Sequence, residues 1–297
     1  NARLVSLRAR PFPFHTVRYS EKLLQAYGIT TCVVDMSDII SATNKMETTD
    51  EVKERVEALK AYANIPSYIK EERIVLQAKL CLTIEKWLKA NECAAGAVQC
   101  WSSIENSIGC GACLSMSYLG ENGLPCACES DVMGALSMYA LYLASDQPSG
   151  YLDWNNNYKE NRDMCINTHC SSLPRGFFGH KFEASNLDIL GKSLGEENCF
   201  GACKGKVDGG PMTFAKISTD EVEGVIKCYI GEGEFTDDPA VMDGGIVVCK
   251  IPELQDLMKF LCKEGFEHHV AMSRSLSADI LEEAFANYLG WEVYRHN

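Results

Sequence analysis

A strand–helix–strand pattern opens the chain and constrains its fold more than any other feature. Arg3 to Leu7 has the composition of a strand, Thr16 to Tyr27 has the apolar spacing of a helix, and Thr30 to Val34 indicates the next strand. Gly28 is typical of the residue that follows a helix end. Strands joined through a helix pair in parallel, so we predict a parallel sheet at the start of the chain.

The next segments continue this alternation of helices and strands. Two amphipathic helices are predicted over Asp50 to Tyr62 and Glu71 to Asn91, and the apolar run Ala95 to Trp101 indicates a buried strand. Asp131 to Ser145 has a helical pattern rich in small residues. The sequence contains no Gly-x-Gly-x-x-Gly motif, which argues against a dinucleotide site.

The second half of the chain has a different character, with frequent glycines and β-branched residues. Strands are predicted over Cys165 to Cys170, Met212 to Ser218, Val225 to Ile230 and Gly245 to Ile251, and helices over Pro252 to Gly265 and Ala278 to Leu289. We therefore predict an α/β fold with two domains. A parallel-sheet α/β domain occupies residues 1–122, and a C-terminal α+β domain with an antiparallel sheet or small barrel occupies residues 123–297.

Charge and cysteine usage limit the partners and the compartment. The net charge of −13 argues against nucleic acid and against an anionic membrane surface, and no apolar run approaches the length of a membrane span. The chain has 15 cysteines, mostly scattered through apolar runs. Such cysteines behave as small hydrophobic residues in a reducing compartment, so we expect a cytoplasmic protein.

Carboxylates lie where an α/β protein places its chemistry. Glu105 follows the buried strand, and Glu129 and Asp131 precede the helix at Asp131 to Ser145. Near the C-terminus, Glu267-His268-His269 adds imidazoles. Two carboxylates and an imidazole make a hard, oxygen-rich metal site. Alternatives stay open at this point: Asp131 is also a possible helix N-cap, Glu105 a plain loop residue, and the histidines a surface or core pair.

Four cysteines offer a competing site. Cys110-x-x-Cys113 followed by Cys126-x-Cys128 resembles a structural zinc knuckle. We favour the carboxylate–histidine site, because the second pair lacks the usual two-residue spacer and the flanking residues are apolar. A redox role is also disfavoured, since Cys110 and Cys113 do not sit in a thioredoxin-like strand-then-helix pattern.

Five motifs, taken together, resemble the L-fucose isomerase/L-arabinose isomerase-like family. They are VQCWSSIENSIG, PCACESDVMGALSMYAL, GPMTFAKIS, GEGEFTDDP and FEHHVAMSRS, and they occur in the order typical of that family. The resemblance covers the middle and C-terminal domains. It implies a further N-terminal domain, and thus a longer native polypeptide, because residue 1 falls near the start of the middle domain.

The resemblance also implies a metal site. In that family a divalent ion, usually Mn²⁺, is held by a Glu after a strand, an Asp in a Glu-x-Asp motif and a C-terminal His. The matching residues here are Glu105, Asp131 within Glu129-Ser130-Asp131, and His269 in preference to His268. A further His ligand of the arabinose branch corresponds to His169, and Glu129 and His268 are possible further ligands or sugar-binding residues. Mg²⁺ and Co²⁺ are alternatives to Mn²⁺.

The implied activity is aldose–ketose isomerisation of a free monosaccharide similar to L-fucose or L-arabinose, through an enediolate. Glu105 and Asp131 are the expected acid and base, while Gln99, Trp101 and Asn155 are expected to line the sugar. The resemblance further implies a homo-oligomer, commonly a hexamer. The cysteine-rich stretch Cys110 to Cys128 departs from the sequences of better-known members, so the resemblance does not indicate which sugar is the substrate. The alternative is a sugar-binding or regulatory relative without turnover.

Overall fold

A computed structural model of the protein describes residues 2–7, 10–179 and 182–297, except the side chain of Asn156. Asn1, Arg8, Ala9, His180 and Lys181 therefore lie outside the described residues, including the first residue of the predicted 1–122 domain. The strands are β1 (Ala2–Leu7), β2 (Ile29–Val34), β3 (Ala95–Val98), β4 (Cys126–Ala127), β5 (Ser149–Asn157), β6 (Met164–His169), β7 (Glu183–Asn186), β8 (Phe200–Lys206), β9 (Gly210–Asp220), β10 (Val225–Thr236), β11 (Gly245–Lys250), β12 (His269–Ser273) and β13 (Glu292–His296). The α-helices are α1 (Glu21–Ala26), α2 (Met36–Lys45), α3 (Asp50–Tyr62), α4 (Glu71–Ala90), α5 (Ser103–Ser107), α6 (Cys113–Glu121), α7 (Val132–Ser145), α8 (Asp188–Leu194), α9 (Leu254–Glu264) and α10 (Ala278–Glu282).

The predicted parallel sheet is confirmed. Its four strands lie in the order β2-β1-β3-β4, and every neighbouring pair is parallel. From β1 the chain adds β2 on one side of it, and then crosses to the other side of β1 to add β3 and β4. The direction in which strands are added therefore reverses between β1 and β3. In open parallel sheets ligands bind at such a reversal, beyond the carboxyl ends of the strands. Strand β4 is part of this parallel sheet although it lies beyond residue 122, where the first predicted domain ends. The boundary between the two predicted domains stays a prediction.

The second sheet contains a closed ring of antiparallel strands. Neighbours run in the order β13-β10-β9-β12-β5-β6-β11-β8-β7, and β10 also pairs with β11. This extra pairing joins the two ends of the run β10-β9-β12-β5-β6-β11, in which all pairs are antiparallel. The ring is the small antiparallel barrel that the glycine-rich, β-branched segment predicted. β13 and β8 add to its edges as parallel neighbours.

Helix α7 lies between the two sheets and contacts strands of both, including β3, β9 and β12. Most of its length is buried, since small residues such as Gly134 and Ala135 let the strands approach on several sides. Asp131 precedes the helix as its N-cap: its carboxylate accepts a hydrogen bond of 2.8 Å from the backbone N–H of Gly134. The carboxyl edge of the parallel sheet and one end of the barrel therefore meet at the start of α7.

Local differences from the sequence-based predictions have simple causes. Helices α3 and α4 lie where predicted, but the helix predicted from Thr16 begins only at Glu21, because the Ser20 hydroxyl caps that turn by accepting from Leu23 N. Helix α2 was not predicted; Asp35 caps it in the same way. The last predicted helix continues from α10 as a π-helical stretch, Glu283–Tyr288.

The cysteines are free thiols, and all but Cys32, Cys170 and Cys262 are buried or nearly so. This distribution fits their interpretation as small hydrophobic residues. None of the helices in the described ranges is both long enough and apolar enough to cross a membrane.

Candidate active site

The candidate site lies where the turn between β4 and α7 meets the first residue of β12. Glu129 and Ser130 form this turn, and both adopt left-handed backbone conformations, with φ of 60° and 61°. Residues with a Cβ rarely adopt this conformation, and two in succession store strain of about 1–2 kcal/mol each. Such strain clusters at functional sites.

Strand pairing brings one histidine and two polar residues of β5 onto one face. In the antiparallel pair of β12 and β5, His269 is opposite Asp153, and Ala271 is opposite Tyr151. Side chains alternate along a strand, so residues two apart share a face. The hydroxyl of Tyr151 therefore lies 2.5 Å from Nδ1 of His269.

Asp131 is the centre of a buried hydrogen-bond network. Its Oδ2 accepts from the Nζ of Lys216 at 2.7 Å and from the hydroxyl of Tyr151 at 2.5 Å, and it lies 3.1 Å from Nδ1 of His269. Burial alone would raise the pKa of Asp131, but Lys216 and His269 hold it well below its usual range. Asp131 and Lys216 thus form a charged pair with only 1% of each side chain exposed.

The other nitrogen of His269 faces two further carboxylates. Its Nε2 lies 3.1 Å from Oε2 of Glu129 and 3.5 Å from Oδ1 of Asp153. Burial by itself would lower the pKa of His269, but Asp131 and Glu129 raise it to about 9. Because Nδ1 is held by Asp131 and Tyr151, Nε2 is the nitrogen that is available to a ligand.

Two groups of three side chains place possible metal-ligand atoms within 4.8 Å of one another among the described residues. One is Glu129, His169 and His269, all buried; the other is Asp153, His268 and His269. Oε2 of Glu129 and Nε2 of His269, although 3.1 Å apart, do not meet in hydrogen-bond geometry, and neither they nor the buried Nδ1 of His169 have a hydrogen-bond partner in the described structure. A buried carboxylate and two buried imidazoles whose ligand atoms converge fit a divalent cation, since burying polar atoms without a partner is costly.

Glu105 and Asp131, predicted as ligands together with His269, belong to neither group. Asp131 is instead engaged by Lys216, Tyr151 and the helix cap described above. His169, predicted as a further ligand, and Glu129, predicted only as a possible one, lie together with His269 in the fully buried group.

Glu105 lies in α5, directly after β3, and is 1% exposed. Both of its carboxylate oxygens are buried, and neither has a hydrogen-bond partner among the described residues. Burial raises its pKa to about 7. Burial also raises the pKa of the Cys100 thiol, and the carboxylates of Glu129 and Glu105 add to that rise. Both carboxylates are therefore within electrostatic range of the same thiol.

The remaining predicted site residues are spread around this centre. Gln99 is buried and donates to the carbonyl of Trp101 at 2.5 Å, while the Trp101 ring packs edge-on against Phe14. Asn155 is exposed and donates to Thr168 at 3.2 Å. His268 is exposed beside its buried neighbour, and its Nδ1 lies 3.4 Å from the Thr16 hydroxyl.

Sequence reasoning missed Tyr151, Asp153 and Lys216. A signal for Lys216 was present, because a lysine inside the apolar strand sequence Met212 to Ser218 needs a buried counter-charge. Tyr151 and Asp153 gave no comparable signal. They lie in a segment that the sequence presents as polar and turn-rich, and only the pairing of β5 with β12 brings them to the site.

The four cysteines of the competing zinc interpretation do not form a ligand group among the described residues, although Cys113, after Cys100, lies close enough to Cys128 to raise the pKa of its thiol. Neither group of converging ligand atoms in the described ranges includes Cys110, Cys113, Cys126 or Cys128. The thiol of Cys128 instead hydrogen-bonds to Cys100 at 2.8 Å, within the core below the site.

Comparison with known proteins identifies related sequences. Residues 167–297 match the family model described as L-fucose isomerase, C-terminal domain. The chain is 28% identical over 210 residues to a sulfoquinovose isomerase of Alkalicoccus urumqiensis, which covers 69% of this chain and 44% of the relative. It is 24% identical over 159 residues to a sulfoquinovose isomerase of Priestia aryabhattai, covering 54% of this chain and 35% of the relative.

A third relative, a sulfoquinovose isomerase of Clostridium sp. (strain MSTE9), is 30% identical over 122 residues, covering 40% of this chain and 26% of the relative. The chain thus spans less than half the length of the curated relatives that it matches. These matches confirm the resemblance that the five motifs indicated.

Proposed function

Because residues 167–297 belong to the L-fucose isomerase C-terminal domain family, we propose that this protein is a metal-dependent aldose–ketose isomerase of a free monosaccharide. The observation that carries the proposal is the convergence of three buried side chains, Glu129, His169 and His269, whose ligand atoms lie within 4.8 Å of one another. Each of the three also has a buried oxygen or nitrogen without a hydrogen-bond partner in the described structure. Relatives that carry an isomerase name support the reaction class.

In this proposal Glu129, His169 and His269 hold one divalent cation, replacing the set of Glu105, Asp131 and His269 that the motifs implied. A carboxylate and two imidazoles leave positions for sugar oxygens and water, and such a mixed site suits Mn²⁺, with Mg²⁺ and Co²⁺ as alternatives. When bound, the cation supplies Lewis-acid stabilisation of the negative charge that develops on the sugar oxygens.

Asp131 acts as a positioning residue rather than as a ligand. Its carboxylate lies 3.1 Å from Nδ1 of His269 and is itself fixed by Lys216 and Tyr151. A proton on Nδ1 directed at this carboxylate leaves the lone pair of Nε2 toward Glu129. Carboxylates that orient a ligating histidine in this way commonly change metal affinity by about 10–100-fold when they are removed.

Glu105 is the group that moves the proton between C1 and C2. A base for this step needs a pKa near the working pH, and burial brings the pKa of Glu105 to about 7. It also needs a free oxygen, and both carboxylate oxygens of Glu105 are unpartnered within the described structure. The exclusion of water around these buried side chains protects the enediolate from side reactions.

The substrate is an aldose, and the relatives widen the choice beyond L-fucose and L-arabinose. Because three relatives are called sulfoquinovose isomerase, a sulfonated hexose is a further candidate. A homo-oligomeric assembly and a cytoplasmic location, implied by the family resemblance and by the cysteine usage, are part of the same proposal.

The test is ketose formation from a panel of aldoses after chelation and again after addition of Mn²⁺. We expect activity only with the metal, and we expect His169→Ala to lose both activity and bound Mn²⁺. His15→Ala is the matched control, since His15 is exposed and outside both ligand groups. Sugar binding without turnover of any aldose in the metal-loaded protein would contradict the proposal and favour a binding protein.

A further inference from the structure

A cavity at the carboxyl edge of the parallel sheet is lined in part by Ser130, the residue after the proposed metal ligand Glu129. It has a volume of about 320 Å³ and is lined by Ser6, Val33 and Ser130 together with the basic residues Arg10 and Arg18. Ser6 and Val33 lie at the carboxyl ends of β1 and β2, so the cavity occupies the same edge of the parallel sheet as the site. Ligand clefts in parallel sheets open at this edge.

The two arginines give the cavity a positive charge in a protein whose net charge is −13. Arg18 is exposed and, within the described ranges, its side chain makes no hydrogen bond or ion pair. Among the described residues, the Arg10 guanidinium donates only to nearby backbone carbonyls, of Pro11 at 3.5 Å and Phe12 at 3.3 Å. Glu21 also lines the cavity, but it lies 3.4 Å from the Tyr19 hydroxyl and forms no ion pair with either arginine. Both guanidinium groups are thus available to an anion.

Ser130 connects this cavity to the site. It is 3% exposed, and its hydroxyl is buried without a hydrogen-bond partner in the described structure. Its backbone is left-handed, with φ of 61°; Ser130 itself lines the cavity, while the preceding residue, Glu129, faces His269. Consecutive Cα atoms are about 3.8 Å apart, so one small molecule can contact both residues.

We propose that this cavity binds a tetrahedral anionic group, a sulfonate or a phosphate, at the end of the aldose remote from the reacting carbons. Arg10 and Arg18 bind the anion through charge-assisted hydrogen bonds, and the Ser130 hydroxyl bonds the sugar between its two ends. The inference rests on the proposed function, because it places the reacting end at Glu129. It makes Arg10 and Arg18 the residues that select a charged aldose over a neutral one.

The experiment compares sulfoquinovose, D-glucose 6-phosphate and D-glucose as substrates of the wild-type protein and of Arg18→Gln and Arg10→Gln. The quantity measured is kcat/KM for each charged sugar divided by kcat/KM for D-glucose. We expect each variant to lower this ratio by about tenfold or more for the anion that the cavity takes, mainly through KM. Lys22→Gln is the charge-matched control, since Lys22 is exposed and does not line the cavity. An unchanged ratio for both charged sugars would overturn the inference.

A binding measurement separates this inference from the isomerase proposal. The affinities of sulfoquinovose and D-glucose 6-phosphate for the metal-free protein are measured by calorimetry, with and without the Arg18→Gln change. A loss of affinity in the variant, without turnover of any aldose by the wild type, would support the anion site and refute the isomerase. Equal affinities in the two proteins, with normal isomerisation, would refute the anion site alone. A dependence on Arg18 for only one sugar identifies the group as sulfonate or phosphate.

Discussion

Replacing Asp131 by Asn tests the role of the buried network most sharply. The change keeps the shape of the side chain and its ability to cap α7, since Asn and Asp are comparable N-caps. It removes the negative charge 2.7 Å from the Nζ of Lys216. With the amide oxygen capping α7, it also puts an N–H₂ donor where Oδ2 accepts from Lys216 and Tyr151. Lys216 then remains as a buried ammonium group without its counter-charge.

The expected cost follows from the burial of both partners. An exposed ion pair contributes at most about 1 kcal/mol, but both side chains here are 1% exposed. Removing one partner of a buried pair typically costs about 3–5 kcal/mol, because the other charge stays in a medium of low polarity. We therefore expect Asp131→Asn to lower the free energy of unfolding by about that amount.

Urea unfolding of the chelated protein at pH 7 provides the assay. The double variant Asp131→Asn/Lys216→Met removes both charges and should recover most of the lost stability, since apolar replacements of buried pairs are often neutral. Bound Mn²⁺ should persist in Asp131→Asn with a weaker affinity, by roughly 10–100-fold, rather than disappear. A destabilisation below about 1 kcal/mol, or additive effects in the double variant, would refute the reasoning.

Three further changes probe neighbouring residues. Glu105→Gln should abolish turnover. Burial raises the folded-state pKa of Glu105 from 4.5 to about 7, so the wild type loses stability as pH rises through this interval. In pH-dependent urea unfolding the variant should therefore be more stable than the wild type above pH 7, by roughly 3 kcal/mol. The kcat/KM of the wild type should fall below pH 7, as read from a pH–rate profile. Gly134→Ala should lower the melting temperature and weaken Mn²⁺ binding, since an added Cβ would collide with the Tyr151 ring and crowd Asp131. Cys113→Ala should keep its Mn²⁺ content by elemental analysis; loss of stoichiometric zinc would restore the knuckle interpretation.

The fold followed from the sequence where local patterns decide the structure. The opening strand–helix–strand unit gave the parallel sheet, and the periodicity of Asp50 to Tyr62 gave α3 with its bounds. The glycine-rich, β-branched segment predicted a small barrel, but not which strands close it. The pairing of β10 with β11 depends on long-range contacts that no local pattern records.

The site could be located from the sequence but not resolved. The motifs indicated four candidate site residues, and the fold places them close together: Glu129, Asp131, His169 and His269. Glu129 and Asp131 are two residues apart, and sequence spacing alone could not tell which of them caps the helix and which faces the histidines. The partners that decide this, Lys216 and Tyr151, come from strands 85 and 20 residues further along the chain.

The central claim is that Glu129, His169 and His269 hold one divalent cation. Its most direct test is a crystal structure of the protein grown with Mn²⁺, with the ion located by its anomalous scattering. We expect a single strong peak within bonding distance of Glu129, His169 and Nε2 of His269, with Asp131 still paired to Lys216. A peak bound by Asp131 and Glu105, or among the cysteines, would contradict it.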